Sequence, residues 1–255
     1  MELRVLGCSG GIGEQLRTTT LLLNENILID AGTGVGDLTL DEMEKIHHVF
    51  ITHSHLDHIA GLPLLIDSIF DRIKSPVTIH AQPETTKALK EHIFNNVIWP
   101  DFAILPTMDK PVIRFNNMKP GELFAIDEHS SLQMVKVKHV IPAVGYVIQT
   151  PDHTLAFTGD TSTNDHFWEM VNKLPRLDYL IVEAAFTNQD QELSRQAGHY
   201  CPKTLGEDIT KLKHQPHIYL THHKPGAEKK IFAECGQAIR THKVTSLVGG
   251  QRITL

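Results

Sequence analysis

The sequence has no long apolar run and few cysteines, and each absence excludes a class of protein. No window approaches the ~18 consecutive apolar residues of a membrane-spanning helix, and the start, MELRVLGCSGG, lacks the basic and apolar regions of a signal peptide. We therefore expect a cytoplasmic protein. The three cysteines, Cys8, Cys201 and Cys235, are widely spaced, which excludes a disulfide framework and a Cys-x-x-Cys zinc site.

An excess of basic charge is also missing. The formal net charge is −6, and the lysines and arginines are scattered in ones and twos. This distribution lacks the basic footprint of a protein that grips long nucleic acid. A small-molecule substrate is therefore favoured.

What the chain contains is an alternation of strand and helix patterns, which predicts an α/β fold. With 41% hydrophobic residues in 255, it can bury a full core. Two hairpins share one design, in residues 18–32 and 145–160, and they suggest two sheets facing each other. We expect a single domain, 1–255, of two pseudo-repeated lobes at about 1–120 and 121–255. Helical patterns lie between the strands, at LDEMEKI, LPLLIDSIFDRI, PETTKALKEHIF, DHFWEMVNKL and CPKTLGEDITKLK.

Residues 51–61, ITHSHLDHIAG, bring four metal-ligand side chains into six positions. His53 and His55 follow an apolar strand and point to the same side, because they are two residues apart. Asp57 and His58 follow as the chain turns into a helix. Neutral imidazoles and a carboxylate suit zinc, or manganese or iron with less preference. The cluster therefore predicts a metal site.

Three other strands also end in a good metal ligand. His139 ends SLQMVKVKH, Asp160 ends TLAFTGD, and His222 ends HIYLTH. His223 is an alternative to His222, which we prefer because it directly ends the strand. We expect two metal ions: His53, His55 and His139 on one, Asp57, His58 and His222 on the other, with Asp160 bridging them.

The order of these motifs, beginning with Asp30, resembles the metallo-β-lactamase superfamily. This resemblance implies a four-layer αββα sandwich with a dinuclear metal site, in which Asp30 orients the ligand histidines and Asp57 takes part in catalysis. THSHLDHIAGL, HIFNNVIWPDF and LTHHKPG are similar to the class II cyclic-nucleotide phosphodiesterases. The resemblance implies hydrolysis of 3′,5′-cyclic nucleotides, cAMP or cGMP, to 5′-monophosphates with two divalent ions, zinc first among them.

A proton donor for the leaving alkoxide is expected beside the metals. Glu183 in YLIVEAAF and His199 in RQAGHYCP resemble the Glu and His that supply the proton in the transfer-RNA 3′-processing ribonucleases. Trp99 and Phe102 either stack a base or pack in the core, and packing is favoured.

Other functions stay open at this point. The nearest is a ribonuclease Z-like endonuclease or another hydrolase of small phosphodiesters on the same fold. A di-iron oxidoreductase would need glutamate at position 55 and a flavin partner, and a non-catalytic binding module would lack ligands. The sequence does not choose between monomer and homodimer.

Overall fold

The computed structural model describes residues 1–255 and divides the chain into two compact units. The first unit comprises Met1–Gly7, Arg17–Lys119 and Gly249–Thr254, and the second comprises Cys8–Leu16, Pro120–Val248 and Leu255. Each unit holds one seven-stranded sheet. The expected single domain stays a prediction. None of the helices is both long and apolar enough to cross a bilayer.

The first unit has nine strands and four helices. The strands are β1 (Glu2–Gly7), β2 (Thr20–Leu23), β3 (Ile27–Ile29), β4 (His48–Phe50), β5 (Val77–Ala81), β6 (Pro106–Thr107), β7 (Lys110–Pro111), β8 (Ile113–Asn117) and β16 (Arg252–Thr254). The helices are α1 (Leu40–Met43), α2 (Leu56–Ile59), α3 (Gly61–Ser68) and α4 (Pro83–His92). The sheet order is β16-β1-β2-β3-β4-β5-β8, and β6 pairs only with β7.

This sheet is antiparallel from β16 to β3 and parallel from β3 to β8. Every residue of β2 and β3 is buried, which is why these segments read as continuous apolar runs. Leu62, Leu65 and Ile66 of α3 join the same core. Because parallel strands end at one edge of a sheet, the residues that follow β3 and β4 come together there.

The second unit has seven strands and four helices. The strands are β9 (Leu123–Ala125), β10 (Ser131–Lys136), β11 (Val144–Gln149), β12 (Thr154–Phe157), β13 (Tyr179–Glu183), β14 (His217–Thr221) and β15 (Val244–Ser246). The helices are α5 (His166–Val171), α6 (Gln191–Ala197), α7 (Pro202–Ile209) and α8 (Glu228–Ala238). The sheet order is β15-β14-β13-β12-β11-β10-β9, parallel from β12 to β15.

The two predicted hairpins are confirmed as β2–β3 and β11–β12. Two helices were not predicted. The segment of α6 is almost wholly polar, and α8 buries only Ile231 and Cys235, so neither has a strong apolar period. The C-terminal stretch VTSLVGGQRITL divides between the sheets, with β15 in the second and β16 beside β1 in the first.

The aromatic residues of HIFNNVIWPDF lie in the core of the first unit. Phe102 is 2% exposed, and its ring contacts those of Phe70 and Phe94. Trp99 packs against the same core. These contacts favour packing over base stacking for this segment.

Candidate metal centre

The first unit brings together the four donors of the histidine-rich motif. The ring centroids of His53 and His58 are 4.2 Å apart, and those of His53 and His55 are 4.7 Å apart. Nε2 of His58 lies 3.9 Å from Oδ2 of Asp57. His53 and His58 are fully buried, while His55 and Asp57 are half-buried. The predicted cluster therefore exists as a compact group of side chains.

Close backbone contacts position this group. The amide of Ala31, which follows β3, donates a 2.8 Å hydrogen bond to the carbonyl oxygen of His58 in α2. A Cβ on Gly32 would lie 2.4 Å from the carbonyl oxygen of Asp57 and 2.3 Å from Oγ1 of Thr18. Only glycine allows this approach, so the chain after β3 fixes the position of α2.

The side chain of Asp30 orients the buried histidines. Nδ1 of His58 donates a 2.7 Å hydrogen bond to Oδ2 of Asp30. The hydroxyl of Thr52 also donates to Oδ2, and the amide of Thr52 donates to Oδ1. Nδ1 of His53 lies 3.0 Å from the Thr52 hydroxyl. Burial raises the pKa of Asp30 above its usual value, and the bonds from His58 and Thr52 oppose that rise. With both Nδ1 atoms engaged, Nε2 is the nitrogen that each ring presents as a ligand.

The second unit brings together the remaining donors. Nε2 of His222 lies 3.3 Å from Oδ2 of Asp160, and both side chains are buried. Nδ1 of His139 lies 2.9 Å from the carbonyl oxygen of Gly198, so this ring too is oriented through Nδ1. His223 instead places its Nδ1 2.7 Å from the carbonyl oxygen of Ala184. The approach of His222 to Asp160 favours His222 over His223 as the candidate ligand.

Burial lowers the pKa of His139 below its usual value, although the nearby carboxylate of Asp160 opposes the change. The neutral imidazole is therefore favoured. It is also the form that binds a metal ion.

Glu183 and His199 form a buried pair beside His222. Nδ1 of His199 donates a 2.7 Å hydrogen bond to Oε1 of Glu183, which is fully buried. The rings of His199 and His222 stack with centroids 5.2 Å apart, and the ligand atoms of all three residues lie within 4.8 Å of one another. Burial lowers the pKa of His199, but the charge and hydrogen bond of Glu183 outweigh it, so the pKa is raised.

Two site residues have left-handed backbone. Asp30 has φ +57° and His222 has φ +62°, each directly after a strand. Aspartate and histidine are among the few residues other than glycine that adopt this region with any frequency. This conformation changes the direction of the chain at the end of each strand, at the residue that carries the side chain.

The glycine-rich loop after β1 contacts the segment that carries His222. The carbonyl oxygen of Cys8 accepts a 2.8 Å hydrogen bond from the amide of His222, and the amide of Gly10 donates to the carbonyl oxygen of His223. A Cβ on Gly10 would lie 2.5 Å from the carbonyl oxygen of His222. The loop therefore holds the end of β14 in place.

Sequence reasoning missed three residues with polar contacts near these groups. Thr52 donates to Asp30, the amide of Tyr200 donates to Glu183, and the hydroxyl of Tyr200 donates to Asp208. Asp208 could have been recognised from the sequence, because its spacing places it on the apolar face of α7 with Leu205 and Ile209. A carboxylate on an apolar helix face indicates a specific set of donors. Thr52 and Tyr200 gave no such signal.

In each unit, taken by itself, the donors fit a divalent metal ion. Each group combines imidazoles that are held through Nδ1 with a carboxylate, and this is the donor chemistry of zinc, manganese and iron sites. No cysteine lies within either group.

Two of the similar proteins differ in the activity that their names state. A probable 3′,5′-cyclic-nucleotide phosphodiesterase of Yersinia pestis is 25% identical over 258 residues, which cover 83% of this chain and 72% of that protein. A ribonuclease Z of Haloarcula marismortui is 26% identical over 163 residues, which cover 60% of this chain and 48% of that protein. The chain thus spans about half the length of that ribonuclease.

Solved structures show the same fold. The crystal structure of unliganded yeast PDE1 matches with a TM-score of 0.83 at 18% identity, over 100% of this chain and 99% of the yeast chain. The expected fold class, the α/β sandwich of the metallo-β-lactamase fold, is confirmed. The sequence profile of the beta-lactamase superfamily domain matches residues 25–223, which is most of the chain, and the chain therefore belongs to this superfamily.

Proposed function

We propose that this protein is a metal-dependent phosphodiesterase that hydrolyses 3′,5′-cyclic nucleotides, cAMP or cGMP, to 5′-monophosphates. The observation that carries the proposal is the buried Glu183–His199 pair beside the metal-ligand side chains Asp160 and His222. This combination offers both metal binding and a proton donor. Both accelerate the hydrolysis of an ester with a poor leaving group.

The ions are proposed to be two, with zinc as the first candidate. The proposed ligands are His53, His55, Asp57, His58, His139, Asp160 and His222. When bound, two such ions activate water and neutralise charge on a phosphodiester. Asp160 is the proposed bridging ligand, and Asp57 is the proposed ligand that also takes part in catalysis.

His199 is the proposed general acid. Its Nδ1 is held by Glu183, so Nε2 is the atom from which a proton can pass to the leaving oxygen. Glu183 also accepts hydrogen bonds from the backbone amides of Thr161, Ala185 and Tyr200, which fix both of its oxygens. Its charge and its hydrogen bond raise the pKa of His199 against the effect of burial, and a raised pKa favours the protonated ring, which is the form that donates.

The substrate class is proposed from the relatives and from one feature of the second unit. The Yersinia pestis relative, named for cyclic nucleotides, matches over most of this chain. In the second unit, the interval between His139 and Asp160 contains only the hairpin β11–β12. The transfer-RNA 3′-processing ribonucleases that the sequence resembles carry an RNA-binding arm in this interval, and the hairpin leaves no room for one. A small cyclic phosphodiester fits these observations better than transfer RNA does.

Product analysis tests the proposal. The metal-replete enzyme would be incubated separately with 3′,5′-cAMP, 3′,5′-cGMP, 2′,3′-cAMP, a linear dinucleotide and a transfer-RNA precursor. We expect 5′-AMP or 5′-GMP from the 3′,5′-cyclic substrates. Cleavage of the transfer-RNA precursor alone would replace the proposal with a ribonuclease Z-like activity, for which the Haloarcula relative is the present support.

A further inference from the structure

One buried carboxylate of the second unit lies outside the proposed metal ligands. Asp208 in α7 is 2% exposed and accepts four hydrogen bonds. Its Oδ2 accepts from the hydroxyl of Tyr200 at 2.6 Å, from Nε1 of Trp168 at 3.2 Å and from the amide of Asn164 at 3.2 Å. Its Oδ1 accepts from Nζ of Lys211 at 2.6 Å. Three separate chain segments therefore meet at this one side chain.

Packing alone does not require a carboxylate here. Asp208 shares the buried face of α7 with the apolar side chains of Leu205 and Ile209. A buried carboxylate is destabilising unless donors surround it, and replacing such groups by apolar ones is often neutral or stabilising. The donors around Asp208 thus indicate that its carboxylate serves to orient the side chains and backbone that bind it.

The first connection to the proton donor runs through Tyr200. Its hydroxyl is held by Asp208, and its backbone amide donates a 3.3 Å hydrogen bond to Oε2 of Glu183. Tyr200 directly follows His199 in the chain and is fully buried. Anchoring the tyrosine ring therefore fixes the backbone on which His199 is mounted.

A second connection runs through the loop after β12. The Asn164 amide is held by Asp208, and Nδ2 of Asn164 donates to Oγ1 of Thr161 at 3.0 Å. The amide of Thr161 donates to Oε1 of Glu183 at 3.0 Å, the oxygen that also accepts from His199. Both oxygens of Glu183 thus receive a donor from a segment that Asp208 holds.

We propose that Asp208, through Tyr200 and the Asn164–Thr161 segment, is a positioning residue that sets the orientation of the Glu183–His199 pair for proton transfer. Asp208 contacts His199 only through these intermediaries. The proposal rests on the proposed function, since it assigns His199 as the general acid. It adds that the position of His199 depends on a side chain in α7 that is not a proposed metal ligand.

The test compares Tyr200→Phe and Asp208→Asn with the wild type and with Tyr179→Phe. Tyr200→Phe removes one hydroxyl and keeps the ring, so it should fold even if Asp208→Asn does not. Tyr179→Phe makes the same chemical change at the opposite end of β13 from Glu183 and serves as the matched control. Each variant is assayed with 3′,5′-cAMP, whose leaving alkoxide needs a proton, and with bis(p-nitrophenyl) phosphate, whose phenolate does not.

We expect Tyr200→Phe to lower kcat for 3′,5′-cAMP about tenfold or more and to leave the nitrophenyl ester within about threefold, because misplacing an acid affects only the substrate that needs it. Metal content should stay at the wild-type value, and Tyr179→Phe should retain wild-type activity on both substrates. Equal loss on both substrates, or no loss on either, would overturn the proposal.

A measurement on the metal-free protein separates this inference from the proposed function. Proton NMR should show a downfield imidazole N–H resonance for the His199–Glu183 bond, assigned by its loss in His199→Ala. We expect the resonance to shift or broaden in Tyr200→Phe and to stay unchanged in Tyr179→Phe. An unchanged resonance in Tyr200→Phe would contradict the coupling. If the resonance shifts in Tyr200→Phe but the wild-type protein cleaves no cyclic nucleotide, only the proposed function is refuted.

Discussion

Nδ1 of His58 donates a 2.7 Å hydrogen bond to Oδ2 of Asp30, and both side chains are completely buried. The bond fixes the tautomer of His58 and the direction of its Nε2. Asp30 is itself held by two hydrogen bonds from Thr52, one from its backbone amide and one from its hydroxyl, so it cannot rotate freely. The orientation of a proposed ligand histidine thus depends on a residue outside the proposed ligand set.

Asp30→Asn should weaken divalent-ion binding by about 10- to 100-fold, because the ligand loses its charged partner while the left-handed backbone is still tolerated. Competition with a chromophoric chelator gives the affinity. Asp41→Asn, at an exposed side chain of the same unit, is the control. Equal affinities in the two variants would show that Asp30 has no part in metal binding.

Elemental analysis of the protein after metal-replete expression should give about two ions per chain. Asp160→Asn should lower this number, since its carboxylate is the proposed bridge. Asp152→Asn, in the exposed turn between β11 and β12, should retain the wild-type content. Full metal content and full activity in Asp160→Asn would contradict the bridging role.

His199→Ala should lower the hydrolysis of 3′,5′-cAMP by about 10² to 10⁴, the usual contribution of a general acid. It should spare most activity toward bis(p-nitrophenyl) phosphate. His53→Ala should lower both activities, because a proposed metal ligand is lost. If His199→Ala lowers both by the same factor with metal content unchanged, then His199 serves binding or structure.

Stability should fall in mild acid because of His80. Its Nε2 lies 3.0 Å from Nδ1 of His48, its Nδ1 accepts a 3.0 Å hydrogen bond from Nδ2 of Asn116, and its ring stacks on Phe50. Burial, with a smaller effect of His48, lowers the pKa of His80 from 6.5 to about 4. The unfolded chain therefore binds more protons than the folded one between these two values.

The free energy of unfolding should consequently decrease as the pH falls from 6.5 toward 4, by at most about 1.4 kcal/mol per pH unit from this group. Urea unfolding at several pH values measures the slope. His80→Gln should reduce it, whereas His129→Gln, at an exposed histidine, should not. An unchanged slope in His80→Gln would assign the acid sensitivity to other groups.

Gly10→Ala should destabilise the protein and weaken metal binding, because a Cβ there would lie 2.5 Å from the carbonyl oxygen of His222. Gly236→Ala is the matched control. Nothing lies within 4 Å of its added Cβ, and it sits inside α8, so alanine should stabilise by about 0.5–1 kcal/mol. Thermal unfolding and chelator competition check both variants. Equal metal affinity in the two variants would show that the loop containing Gly10 does not influence metal binding.

Several proposed ligands could be named from the sequence because each follows an apolar strand, and the parallel strands of one sheet end at one edge. Asp160 and His222 follow β12 and β14 of the second sheet, and His53 follows β4 of the first. The hairpins were predictable for a similar reason, since period-two segments flank a short polar turn. Local sequence was sufficient for these features.

The supporting residues could not be predicted in the same way. The bond between Tyr200 and Asp208 depends on how α7 packs, and nothing in the local pattern around Tyr200 reports it. Likewise, α6 is nearly all polar, so its existence depends on tertiary contacts more than on an apolar face. The local pattern therefore indicates candidate donors, whereas the side chains that contact them depend on tertiary packing.

If His222 is a metal ligand as proposed, its left-handed backbone restricts how the metal preference of this protein could be re-engineered. A replacement ligand there must both donate electrons to an ion and accept φ +62°. Aspartate and asparagine meet both conditions, whereas residues that rarely adopt this region, such as glutamate, do not. Both accepted residues offer oxygen, which suits manganese or magnesium better than zinc. Directed evolution at this position can therefore move the site toward harder ions, but it has little route to softer ones.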